Sequence, residues 1–384
     1  MGENKKALIV TTVSGFVPQF EMNNVKILQD MGYEVHYAAN YNMPVYTDNN
    51  DRLEGTGIIR HQVDFVRSPF RLLKNIKAYR QLKNVMKSKK FDLLHCHTPM
   101  GGVIGRIAAK QAKIPYVIYT AHGFHFFKGS PIINWLFFYP VERLLARITD
   151  VLITINEEDY ARAKKFHMRK YGSVMMTPGV GINTTKKNEE SSSRLKKSLG
   201  VDNDNFIIVS VGELTKRKNH RAIIKAMKSV VQDRPDVVYL ICGSGVEKES
   251  LVSLVNKLGL KKNVKFLGYR RDVDNILSMS DCFVFPSLQE GLPVAILEAM
   301  VAGLPVICSN IRGNRDLIKH GQGGYIVKHQ SVKKYADYII KLGSDNNRVK
   351  EFGDYNQVSA KKYDQRIVEE LMKQVYCKIR KNVC

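Results

Sequence analysis

Short apolar, β-branched runs alternate with longer helical patterns along almost the whole chain, and this rhythm limits the folds open to it. Ala7–Val13, Glu34–Ala39, Leu93–His95, Tyr116–Thr120 and Val151–Ile155 read as strands. Between them, Glu21–Met31, Pro69–Lys90, Val103–Lys113, Asn134–Arg147 and Glu157–Phe166 have helical spacing. Such alternation builds βαβ units and a parallel sheet. The polar, lysine- and serine-rich stretch Thr184–Lys197 interrupts it as a linker would. A second series follows, with Phe206–Val211, Val237–Cys242, Val264–Leu267, Cys282–Phe285 and Val306–Ser309 as strands. At 384 residues the chain exceeds one typical domain. The economical reading is two doubly wound α/β domains, residues 1–185 and 186–364. Ligands of such domains bind at the carboxyl ends of strands, so two domains facing each other would define a central cleft.

Chemistry is therefore expected at strand ends. The first strand runs into Ser14-Gly15-Phe16, a turn whose amides suit a phosphate. A full G-x-G-x-x-G is absent, and the second strand ends Ala38-Ala39-Asn40, without the acid that holds a dinucleotide ribose, which disfavours NAD. The second domain opens with Val211-Gly212-Glu213-Leu214-Thr215-Lys216-Arg217-Lys218-Asn219. Three cations directly after a strand suit a diphosphate, at about 1.5–3 kcal/mol per charge-assisted hydrogen bond. A solvated basic loop is the plainer alternative. Cys242-Gly243-Ser244-Gly245 and Phe266-Leu267-Gly268 follow later strands. Last comes Ser287-Leu288-Gln289-Glu290-Gly291-Leu292-Pro293, leading into a helix that carries Glu298. Pro293 suits a first helical turn, and the amides near Gly291 and Leu292 would lie at the positive end of the dipole. Acid, amides and acid in line suit a ligand with hydroxyls at both ends and phosphate between, although acids at a helix start are common. Eight residues of helix advance about 12 Å. A glycosidase pair stands about 5–9.5 Å apart, so Glu290 and Glu298 make a poor hydrolytic couple.

Composition narrows the partners. A net charge of +24 points to an anion: nucleic acid, membrane surface or phosphorylated ligand. Cys96, Cys242, Cys282, Cys308, Cys377 and Cys384 show no C-x-x-C spacing and read as reduced thiols rather than a zinc site. Lys5-Lys6 before Ala7–Val13 mimics a signal peptide only weakly, and Lys6 occupies the position where a myristoylation motif needs Ser or Thr. No apolar run reaches the ~18 residues of a membrane span, so a soluble or peripheral protein is expected.

Taken together, these ordered motifs resemble family 4 glycosyltransferases of GT-B fold, with two Rossmann-like domains. The resemblance rests on Gly212–Asn219, Gly243/Gly245, Leu267-Gly268 and the Glu290…Glu298 pair. His95-Cys96-His97-Thr98-Pro99, Thr120-Ala121-His122-Gly123-Phe124-His125 and Asp150–Asn156 are similar to bacterial exopolysaccharide and capsule enzymes. The resemblance implies transfer of a hexosyl or N-acetylhexosaminyl group from a nucleotide diphosphate sugar, UDP-sugar foremost, with retention and without a D-x-D metal or other cofactor. It implies a catalytic group of Glu290, His122 and Lys218. Donor contacts would come from Gly15, Gly212, Arg217, Lys218, Gly243, Leu267, Glu290, Gly291, Leu292, Pro293 and Glu298, the last on the ribose. His95, His97 and His125 would be supporting structure, and a helix at about 365–384 would pack back on the first domain. Two residues depart from the pattern: Glu213 stands where many members have Arg, so Lys216 or Arg217 would share the diphosphate, and Asn183 stands where Asp is common. The strings Asp202-Asn203-Asp204 and Asp272-Val273-Asp274 do not sit where a metal-dependent transferase needs them.

Two segments address the acceptor. Pro69–Lys90 places Leu72, Leu73, Ile76, Tyr79 and Met86 at helical spacing among eight cations, and Pro131–Pro140 is rich in aromatics. Core packing accounts for both; the alternative is docking on anionic lipid, worth about 1 kcal/mol per cation. The expectation is a cytoplasmic enzyme, peripheral on the inner membrane face, acting on a polyprenyl-diphosphate-linked saccharide. The alternatives are a transferase for soluble sugars and, from another class, a basic nucleic-acid-binding protein. The last is disfavoured because charge is spread over both halves and no reading module is present.

Overall fold

A parallel sheet needs crossover connections, and each half of the chain supplies them as helices. The computed structural model describes residues 5–43, 45, 50–185 and 192–381. It divides into two compact units, Met1–Gly181 with Arg366–Cys384, and Ile182–Gln365. Residues 186–191 of the expected linker, with Met1-Gly2 and Cys384, lie outside the described residues.

The first unit contains β1 (Lys6–Val13), β2 (Glu34–Asn40), β3 (Ile59–Gln62), β4 (Leu93–His97), β5 (Tyr116–Ala121), β6 (Val151–Thr154) and β7 (Ser173–Met176). They form one parallel sheet in the order β3-β2-β1-β4-β5-β6-β7. The second contains β8 (Phe206–Val211), β9 (Val237–Cys242), β10 (Val264–Gly268), β11 (Cys282–Phe285), β12 (Val306–Ser309) and β13 (Gly324–Val327). Their order is β10-β9-β8-β11-β12-β13, again parallel. Near-continuous burial along the central strands follows from helices on both faces. The strands read from sequence are present; β3, β7 and β13, at or near sheet edges, are additional.

Strand order reverses between β1 and β4 in one unit and between β8 and β11 in the other. Crossovers leave to opposite sides at such a point and open a crevice at the strands' carboxyl ends. Gly15 and His97 flank the first reversal in sequence, and Gly212 and the Glu290 loop flank the second. The C-terminal helix Gln365–Lys381 belongs to the first unit, with Val368, Met372, Val375 and Tyr376 in its core. Tyr376 Oη also lies 2.8 Å from His95 Nδ1, while His95 Nε2 meets Thr120 Oγ1 at 2.8 Å.

The helix Leu72–Lys89 departs from the expected single apolar side. Ala78, Leu82 and Met86 are buried, but Leu72, Leu73 and Ile76 are exposed. The first turns overhang the core that the later turns join.

Candidate active site

In the second unit, two loops zip together after β8 and β11. Leu288 N donates to Arg217 O at 2.8 Å, and Asn219 Nδ2 donates to Pro286 O at 3.2 Å. Asn219 accepts a positive φ of 55°, a conformation this residue type tolerates, and starts the helix His220–Asp233. The pairing carries Arg217 and Lys218 to one carboxylate: Glu290 Oε1 accepts from Arg217 Nη1 at 2.7 Å and Lys218 Nζ at 2.8 Å. Lys218 and Glu290 are largely buried, whereas Arg217 is exposed along nearly half its side chain. Two cations around one carboxylate leave a net positive site. Lys218 Nζ also stands 4.7 Å from the centre of the Phe285 ring. Lys216 instead lines a separate recess with Thr215, His220, Arg221 and Glu247. Of the two candidates for the missing family arginine, Arg217 is therefore the one at Glu290.

The glycines have physical reasons to be there. A Cβ on Gly212 would come 3.2 Å from Lys218 Cε, so its absence leaves room for the lysine stem. A Cβ on Gly243 would fall 1.9 Å from Gly212 O, and Gly243 holds φ 148°. Three strand ends thus lie backbone against backbone, tied by Gly212 N to Cys242 O (2.9 Å) and Gly243 N to Gly268 O (2.7 Å). This packing demands glycine at 243 whatever binds there. Leu267 precedes that junction on β10.

Pro293 is the cap of the helix Val294–Val301, in extended conformation, not a residue of its first turn. That corrects the expected helix start by one residue and places Glu298 in the second turn. Gly291 O packs so closely on Gly313 (φ 75°) that a Cβ there would lie 2.2 Å away. Buried Arg312 donates Nε to Glu290 O at 3.2 Å, clamping the loop from β12. Sequence reading passed over Arg312; its only signal was a basic residue next to a glycine after a strand. Leu292 is buried, and Gly291 and Glu298 are partly so. Asp272, the first acid of the second D-x-D string, accepts from both Nε (2.8 Å) and Nη2 (2.5 Å) of Arg270 in an ion pair.

In the first unit, Gly15 caps the short helix Phe16–Phe20 with an ordinary φ of −72°. That helix delivers Glu21, a residue sequence reading did not select, to His97 of β4 and to His122 just after β5. His97 Nδ1 and His122 Nε2 are 3.1 Å apart, and Glu21 Oε1 lies 3.4 Å from the first and 3.5 Å from the second. Asn24 Nδ2 donates to the other carboxylate oxygen at 2.6 Å. The Phe16 ring meets His122 edge-on with centroids 4.9 Å apart. Burial pushes Glu21 up to about 8 against the opposing Asn24 hydrogen bond. Burial also holds His122 down near 4 and His97 well below its ordinary value. His97 thus joins His122 in one cluster and is more than distant support. His125 is set apart, its ring tilted against Phe138 with centroids 4.7 Å apart.

The same unit exposes a joined apolar patch. Phe70 and Phe137 touch edge to face with centroids 6.3 Å apart. Around them Phe70 is 74%, Leu73 84%, Ile132 74% and Leu136 65% exposed. Trp135, Phe138 and Tyr139 of the same aromatic segment pack against the core instead. Among the described residues, no helix is long and apolar enough to cross a membrane.

Comparison with known proteins agrees with this architecture. Residues 7–156 match the family described as "Glycosyl transferase 4-like", and residues 191–358 match "Glycosyl transferases group 1". The chain is 36% identical to the glycosyltransferase EpsD of Bacillus subtilis, covering 96% of this chain and 95% of that one. It is 32% identical to the UDP-Gal:alpha-D-GlcNAc-diphosphoundecaprenol alpha-1,3-galactosyltransferase of Escherichia coli, covering 71% and 72%. Among solved structures, the Anabaena protein HepE in complex with UDP superposes with a TM-score of 0.78 at 19% identity, covering 98% of this chain and all (100%) of that one. These matches, with two doubly wound units, show that the chain belongs to the family 4 type of glycosyltransferases of GT-B fold.

Proposed function

We propose that this glycosyltransferase moves a sugar, with retained anomeric configuration, from a UDP-sugar to a polyprenyl-diphosphate-linked saccharide during exopolysaccharide or capsule synthesis. The observation that carries the reading is the Arg217–Lys218–Glu290 cluster at the strand reversal of the second unit. Its net positive charge suits a diphosphate, with Lys218 and Arg217 stabilising charge as the leaving group departs. In this reading Glu290 grips the donor sugar, Glu298 the ribose, and the Gly291, Leu292 and Pro293 segment brings the helix start to the phosphates. The bond from the anomeric carbon to the diphosphate breaks, and the acceptor oxygen bonds to the same face. A diphosphate oxygen takes the hydroxyl proton. Lysine and arginine supply the charge that a metal supplies in other transferases, so no cofactor enters the step. His122, from the first unit, is assigned to the reacting sugar.

The E. coli relative, named for a diphosphoundecaprenol acceptor, supports a lipid-linked substrate. So does the patch around Phe70 and Phe137, where exposed Arg71, Lys74, Lys77 and Arg80 accompany apolar side chains. That combination suits the anionic inner face of the plasma membrane, with the cations on headgroups and the rings in the interface. The test is a transfer assay pairing each nucleotide sugar with lipid-linked saccharides in anionic vesicles and with free sugars. Transfer to the lipid-linked acceptor supports the proposal. Transfer to free sugars alone overturns the acceptor, and release of no nucleotide from any donor overturns the whole reading.

A further inference from the structure

Among the described residues of the first unit are two histidine–histidine–glutamate groups, and their geometries differ. In one, Glu34 Oε1 meets His36 Nε2 at 2.6 Å, and His36 Nδ1 meets His61 Nε2 at 2.8 Å. That is a line, in which His36 spends both nitrogens on short hydrogen bonds. In the other, Glu21 Oε1, His97 Nδ1 and His122 Nε2 form a triangle with edges of 3.1, 3.4 and 3.5 Å. The two edges to the carboxylate are longer than a good N–H···O hydrogen bond, and one N–H cannot point at two corners. Around a first-row cation with nitrogen and oxygen ligands at 2.0–2.2 Å, tetrahedral neighbours stand roughly 3.3–3.6 Å apart.

We propose that Glu21, His97 and His122 form a binding site for a divalent transition-metal cation, zinc foremost. Two imidazole nitrogens and a carboxylate oxygen are a borderline donor set of the kind zinc takes. The supports are in place. Asn24 fixes the second oxygen of Glu21, and Phe16 packs against His122. His97 Nε2 is buried with no hydrogen-bond partner among the described residues. Ligation through Nδ1 leaves the proton on Nε2, so packing rather than an acceptor orients the ring, with the His95 and Phe16 centroids 4.1 and 5.8 Å away. His122 and Glu21 also border a small recess with Phe20, Asn24, Thr120 and Thr177, a route by which water or an added ligand would reach them. The inference goes beyond the transferase reading and does not depend on it. An ion here occupies the His122 nitrogen, so it would restrain any part that His122 takes in transfer.

The test is uptake of zinc by the chelator-stripped full chain, measured in competition with a chromophoric chelator, with cobalt as a spectroscopic substitute. One equivalent is expected in the wild type, with cobalt bands of nitrogen and oxygen ligation and no thiolate charge transfer. Affinity should fall roughly 100-fold or more in Glu21→Gln and in His122→Asn. It should be unchanged when Glu34→Gln and His61→Asn alter the linear group. Absence of uptake by the wild type overturns the proposal without reference to any variant. A thiolate band, or equal affinity in Glu21→Gln and His122→Asn, overturns it as well.

Discussion

The two strand reversals each hold a buried or nearly buried glutamate, and they neutralise it by opposite means. Glu290 in the second unit is met by two cations at hydrogen-bond distance. Glu21 in the first unit has no cation within ion-pair range among the described residues unless His97 or His122 is protonated, and burial raises it to about 8 while lowering both histidines. One site keeps positive charge in reserve for an anion. The other offers lone pairs from groups held neutral. The same fold position thus carries a paired carboxylate in one unit and neutral donor atoms in the other, depending on what the neighbouring loops bring.

The largest expected effect breaks the first of these. Glu290→Ala frees Arg217 and Lys218 from their carboxylate and removes the proposed sugar contact. Turnover should fall by about 10²–10³-fold, judged against removal of a transition-state contact. Circular dichroism should stay unchanged, and normal turnover would remove Glu290 from its assigned role.

Gly243→Ala tests the frame beneath that site. Its Cβ would meet Gly212 O at 1.9 Å in a backbone conformation unfavourable to alanine. A loss of about 3 kcal/mol or more is expected in denaturant unfolding of the second unit. A loss below ~0.5 kcal/mol would show that the three strand ends are not packed as described.

The smallest effect sharpens the contrast between units through acid. His220 in the second unit is held near 4, mainly by burial. In the first unit, burial lowers His36, and holds His61 near 4 and His95 near 3. A folded histidine with a depressed pKa stays neutral while the unfolded one takes up a proton below about 6.5. Its stabilising share is therefore full above pH 6.5 and is lost as pH falls towards 4, at up to about 1.4 kcal/mol per unit per group. The first unit has more such groups, and raised Glu21 opposes them only down to about pH 4.5, so below that pH the first unit should lose hydrogen-exchange protection first. Simultaneous loss in both units would count against this difference.

Much of this was legible in sequence because α/β proteins put chemistry where apolar runs stop. Gly212, Lys218 and Glu290 were found as residues following strands, and the structure joins them through the loop pairing at Leu288 and Asn219. Glu21 was not found. It follows a five-residue helix, and its partners are 76 and 101 residues away, so no local pattern marks it. The strand β3 was missed because Ile59-Arg60-His61-Gln62 has one apolar residue and an exposed face. Leu72, Leu73 and Ile76 were read correctly as apolar, but spacing alone cannot say which turns of a helix overhang the core. The glycine at 243 illustrates the reverse case. The resemblance made it a donor contact, and its backbone contacts require glycine without one.

In the proposed function the cations at Glu290 receive a nucleoside diphosphate. Calorimetric titration of UDP into the wild type and Lys218→Ala tests it most directly. Saturable binding by the wild type and at least a tenfold loss in the variant, equivalent to about 1.4 kcal/mol, are expected. Equal affinity in the two proteins, with the variant folded, would contradict it.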